Sequence, residues 1–123
     1  MAGGTFAPRW WALTSISGGA IALLALPSMA EVRTAFLASG ESETYEGYFL
    51  ADEDIYAHCD ANCEDLDIFL YDAYTGELIE SDTLLDAHPV VTAPYDGDFR
   101  VKTLMVTCRA KTCQAWTDSD EGF

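Results

Sequence analysis

The run HCDANCEDLDIFLYDAYTG, His58 to Gly76, holds the densest chemistry in the sequence: Cys59 and Cys63 with three residues between them, and five acidic side chains behind Cys59. A redox dithiol wants C-x-x-C at a helix start in a βαβ setting, whereas this pair is spaced C-x3-C among strand-like residues. A copper(I) site from Cys59, Cys63 and either His58 or His88 suits soft sulfur, but it needs reduced thiols. Zinc held by all four cysteines would join C-x3-C to the C-x4-C of Cys108 and Cys113, an unusual pair of knuckles. Structural disulfides are the reading that fits best.

The carboxylates admit a second chemistry. Asp60, Asn62 and Glu64 imitate the first three ligands of an EF-hand loop, but Asp65 stands where glycine is required and Tyr71 where the closing glutamate belongs. That reading fails. A site at the edge of a sheet is better supported. If Ala73 to Gly76 is a hairpin loop, Asp72 faces Glu77 and Asp67 faces Asp82. Like charges opposite one another destabilise a sheet, and a cation between them reverses the sign. With Asp65 and Asp86 nearby, Asp65, Asp67, Asp82 and Asp86 form a candidate Ca2+ set of hard oxygens. The plainer alternative is four carboxylates pointing into water.

Catalysis has little support. His58 and His88 are the only histidines. No nucleophile elbow surrounds Ser39, Ser42 or Ser81, and no phosphate loop or zinc-protease motif is present. A small secreted hydrolase and a copper protein are the weakest alternatives. Binding has more. Tyr74 and Tyr95 fall in turns, and Phe69 and Tyr71 alternate onto the acidic face of their strand. Aromatic rings beside acids suit a protein or polysaccharide partner. Equally, a neighbouring strand can cover Phe69 and Tyr71.

The elements that must carry these residues are short strands. Tyr45 to Leu50, Ile55 to Asp60, Asp65 to Asp72, Glu77 to Asp82, Val90 to Ala93, Phe99 to Cys108 and Cys113 to Thr117 alternate or are rich in β-branched residues, with turn residues between them. Leu66, Ile68, Leu70, Val91, Phe99, Val101, Thr103 and Met105 are the expected inward set. Leu104 and Val106 face the other way, with Trp116 as their expected cover. Seven strands of this kind make an all-β antiparallel sandwich. Residues 31–43 read as an N-terminal arm, 44–117 as the domain and 118–123 as a frayed acidic tail.

The first thirty residues read differently. Arg9, the apolar run AIALLAL and the Ser28-Met29-Ala30 site have the layout of a cleaved signal peptide, and the run is too short to span a bilayer. All four cysteines follow it, as two disulfides would in an exported chain. The acidic balance is strong: 21 Asp and Glu against 6 Lys and Arg, for a net charge of −15. Arg9 is the one charged residue before position 31. Such a surface excludes nucleic acid and anionic membranes as partners, and it favours cationic partners, a bound divalent metal or simple solvation.

The strings HCDANCEDLDIFLYDAYTGELIESDTLLDAHPVV and GDFRVKTLMVTCRAKTC resemble the bacterial pre-peptidase C-terminal domain family, over residues 40–117. The resemblance rests on CD-x-x-C-x-DLD, the YD-turn-G that follows, and the late M-x-x-C-x4-C. It implies a β-sandwich of jelly-roll type, periplasmic or secreted, of a kind usually appended to exported enzymes and in some cases holding calcium. Asp52-Glu53-Asp54 stands where that family has a glycine turn, and Thr112 where a proline is frequent. Sequence proximity and the resemblance together favour the pairs Cys59–Cys63 and Cys108–Cys113. Each closes a loop so short that it is expected to pin a turn, for about 2 kcal/mol, without joining the sheets.

Overall fold

The computed structural model describes residues 32–123; the expected signal peptide, residues 1–30, lies outside them. Eight strands form: β1 (Arg33–Leu37), β2 (Ser42–Phe49), β3 (Asp54–Cys59), β4 (Cys63–Asp72), β5 (Leu78–Asp82), β6 (Val90–Thr92), β7 (Gly97–Cys108) and β8 (Cys113–Ser119). They make two antiparallel four-stranded sheets, ordered β1-β8-β3-β6 and β2-β7-β4-β5. Strand pairs β1·β8, β2·β7, β3·β6 and β4·β5 all form, so β1 to β4 fold back on β5 to β8 as one long ribbon, rolled into two layers.

Alternation decides which face goes inward. Leu66, Ile68 and Leu70 from β4, and Phe99, Val101 and Met105 from β7, are fully buried with Ile55, Val91 and Phe49 between the sheets. The buried Thr103 hydroxyl lies 2.8 Å from that of Thr117 on the opposite sheet, so two polar groups satisfy each other within the apolar layer.

Three expectations about the ends change. Residues 33–37 are not an arm: Phe36 faces out while Leu37 packs into the core, and the strand pairs with β8 over its whole length. The tail is not frayed either. The buried Glu53 carboxylate accepts hydrogen bonds from the Leu50 amide, the Ser119 hydroxyl and the Glu121 amide. Phe123 then packs edge-on against Phe49 at 4.9 Å, over Gly47, where an added Cβ would stand 2.7 Å from the ring. Trp116 does not cover Leu104 and Val106, because β8 and β7 belong to different sheets; it stacks on His58 instead.

Candidate functional site

The cysteines pair as Cys59–Cys63 and Cys108–Cys113, each with a Cα–Cα distance of 5.9 Å, and no described cysteine is free. Cys59 ends β3 in one sheet and Cys63 begins β4 in the other; Cys108 and Cys113 likewise end β7 and begin β8. Each bridge therefore joins the two sheets, contrary to the expectation from loop length. Cys63 lies opposite Cys108 in the β4·β7 register, so the bridges stand side by side at one end of the sandwich. Arg109 ties the two turns together, with its side chain on the Ala61 carbonyl and the Glu64 carboxylate and its amide on the Asn62 carbonyl. Asp60 accepts from the Asn62 and Gln114 amides. This acidic stretch is turn scaffolding.

The hairpin register departs from a simple count back from the turn. Tyr71 faces Leu78 but Leu70 faces Glu80, so a bulge at Ile79 places Ile68, not Asp67, opposite Asp82. Asp82 accepts from the Leu84 and Val90 amides, one on each oxygen, and Glu80 accepts from the Thr92 amide. These two carboxylates on the edge strand of one sheet take the outward N–H groups of β6, the edge strand of the other. Asp86 accepts from the His88 amide, while its carbonyl receives the Leu66 amide, which docks the 83–89 loop along β4.

Asp65 and Asp67 flank Leu66 on β4. They are 6% and 9% exposed, and one oxygen of each, Oδ1, is fully enclosed without a hydrogen-bond partner. Burial pushes the Asp67 pKa up, and the charges of Asp65, Asp82 and Asp86 push it further. The four expected residues thus form one electrostatic cluster, but with divided roles: Asp82 is engaged with backbone, Asp86 in part, and Asp65 and Asp67 remain unsatisfied. Among the described residues, no three acidic, histidine or cysteine side chains already stand together as a formed metal centre. A cation here would take Asp65 and Asp67 as its carboxylate ligands and complete its shell with carbonyl or water oxygens, which calcium accepts readily.

The tyrosines gather around the β4–β5 turn. Asp72 Oδ1 accepts from the Tyr74 and Thr75 amides and its Oδ2 from the Tyr95 hydroxyl, at 2.6 Å. The Tyr95 bond first, and then those amides, hold the Asp72 carboxyl down to about 2. The Tyr74 hydroxyl donates to Asp98, and Gly76 closes the turn at φ 76°. The same bonds raise both phenol pKa values. Tyr74 is 83% exposed and Tyr95 43%, beside a shallow groove of about 600 Å3 whose lining includes Tyr48, Tyr74, Asp98 and Arg100. Phe69 and Tyr71 are half-buried, with Lys102 Nζ 5.2 Å above the Phe69 ring. Of the expected aromatic set, Tyr74 presents the freest ring, because Tyr95 packs against Phe99 with ring centroids 5.2 Å apart.

Sequence reasoning did not identify Phe36, Tyr56 and Trp116 as surface neighbours, because only the strand order brings them together. Among the described residues no helix is long and apolar enough to cross a membrane. No protein-family model matches the chain, and no curated protein does.

Proposed function

We propose that this chain is an exported, non-catalytic binding domain of the cell envelope or extracellular space, and that a calcium ion held by Asp65 and Asp67 completes its fold. The observation that carries the cation is the pair of enclosed, unpartnered carboxylate oxygens, two residues apart on β4. A buried carboxylate without a partner is costly, and two that repel each other cost more. A divalent cation offsets both terms at once. It would also bind the 83–89 loop to β4, sealing the edge that Glu80 and Asp82 already bridge.

Two further features support the wider reading. The strand order β1-β8-β3-β6 facing β2-β7-β4-β5 is that of a jelly roll, as in the pre-peptidase C-terminal domains the sequence resembles. Two disulfides and an apolar leader suit an oxidising compartment outside the cytoplasm. The partner is a protein or a polysaccharide, met through aromatic rings at the surface that are already held in place, so that little freedom is lost on binding.

Melting in CaCl2 against NaCl at equal ionic strength tests the cation. At a hundredfold excess over Kd, mass action adds about 2.7 kcal/mol, which raises Tm by about 10 to 20 °C in a domain of this size. Asp65→Asn and Asp67→Asn should each remove the calcium-specific part. Equal shifts in both salts would discard the site.

A further inference from the structure

The outer face of the β1-β8-β3-β6 sheet carries a line of aromatic rings. Phe36 lies on β1 opposite Gln114, Trp116 is two residues further along β8, and Tyr56 on β3 lies opposite Asp118, two further again. Burial alternates along these strands so that Phe36, Trp116 and Tyr56 all lie on the side away from the core. With strands about 4.8 Å apart and residues about 3.3 Å apart along each, successive rings step diagonally by about 8 Å in one direction. Val90, opposite Tyr56 on β6, continues the line to the sheet edge.

Phe36 and Tyr56 are exposed, whereas Trp116 between them is partly buried. Phe36 is 67% exposed and Tyr56 36%. His58 stacks on Trp116, centroids 5.0 Å apart and planes 26° apart. The Tyr56 hydroxyl donates to the Ser119 carbonyl, which ties the far end of that ring to β8. Thr34, Gln114, His58 and Asp118 alternate with the rings and supply donors and acceptors along both sides.

We infer that this face binds an extended, neutral polysaccharide chain, which names the partner class for the binding role proposed above. The C–H faces of equatorially linked sugars are flat and apolar and stack on aromatic rings, while their edges are lined with hydroxyls. A single diagonal of rings flanked by polar groups matches that pattern. It matches a protein partner poorly, because a stable protein interface needs roughly 800 Å2 per side around a contiguous apolar centre. The net charge of −15 repels anionic polymers, and the uncharged Thr34 and Gln114 beside the rings suit a neutral, hydroxyl-bearing chain.

Affinity electrophoresis of the full oxidised chain through gels containing hydroxyethylcellulose, glucomannan or xylan tests this, with alginate as the anionic control. The wild type should be retarded in at least one neutral gel and not in alginate. Phe36→Ala should weaken that retardation roughly tenfold, equivalent to about 1.4 kcal/mol. Trp116→Ala should weaken it similarly, with its melting curve recorded to verify folding, and Leu85→Ala, on an exposed loop, should have no effect. Unchanged mobility in all three neutral gels, or retardation indifferent to Phe36→Ala, would overturn the inference. So would a concentration-dependent dimer that Phe36→Ala abolishes. Repeating the gels in EDTA separates this result from the cation, since the calcium residues lie on the other sheet.

Discussion

Asp67 and Asp72, five residues apart on one strand, are driven in opposite directions by their surroundings. Burial and three neighbouring carboxylates raise the pKa of Asp67, whereas a phenol and two amides lower that of Asp72 from 3.8 to about 2. A raised folded-state pKa means that the native protein holds the Asp67 proton more tightly than the unfolded chain does. Without metal, Asp67 therefore opposes folding at neutral pH, and this penalty shrinks as pH falls toward the ordinary carboxylate range. Asp72 contributes stability above that range and loses it as pH falls through 3.8 toward 2. In EDTA, the urea midpoint should rise on mild acidification and then collapse in strong acid. Asp67→Asn should flatten the rise and leave the collapse. Adding calcium should invert the first trend, because protons then compete with the ion. A midpoint that falls steadily from neutral pH in EDTA would refute the assignment of Asp67. The sequence showed these acids as neighbours, but their division of roles depended on a bulge that a count from the turn cannot see.

At the scale of elements, inward positions were legible and edges were not. A period of two along β4 and β7 identifies Leu66, Ile68, Leu70, Phe99 and Val101 as core from local pattern alone, and all are fully buried. Leu70→Ala should accordingly cost about 2–5 kcal/mol in denaturant unfolding, a large share of the stability of so small a domain. The strand β1 escaped notice because its five residues hold few inward side chains and its partner, β8, lies at the far end of the chain. The device that closes the β5/β6 edge was equally hidden. Asp82 reads in the sequence as a cation ligand facing Asp67 and Glu80 as a surface acid, but the bulge turns both toward the Val90 and Thr92 amides. Asp82→Ala should cost about 1 kcal/mol or more through the lost bonds. It should also leave an unpaired strand edge, a template for association. Denaturation and light scattering together check both effects, and an Asp82→Ala protein as stable and monomeric as wild type would show the clamp to be incidental.

For the whole molecule, the disulfides show how local spacing and global position carry different information. Proximity and the family resemblance give the pairing, and a bridge between cysteines four or five residues apart is expected from its spacing alone only to pin a turn. Yet both turns are crossings between sheets, so the bridges fasten the two layers at one end. The opposite end is held by Glu53, the C-terminal segment and Phe123 on Phe49. Magnitude decides what reduction should do. Each short loop removes chain entropy equivalent to about 2 kcal/mol, so losing both takes about 4 kcal/mol from a total of about 5–15 kcal/mol. The reduced protein should therefore stay folded at 25 °C, with its far-ultraviolet spectrum retained and Tm lowered by about 15 to 30 °C. Amide exchange should accelerate first around residues 59–63 and 108–113, while the β4·β7 centre stays protected, since local opening follows local constraint. Uniform exchange on reduction would mean that the bridges hold the whole sandwich and that the packed layer of Leu66, Ile68, Leu70, Phe99 and Val101 is too weak to stand alone.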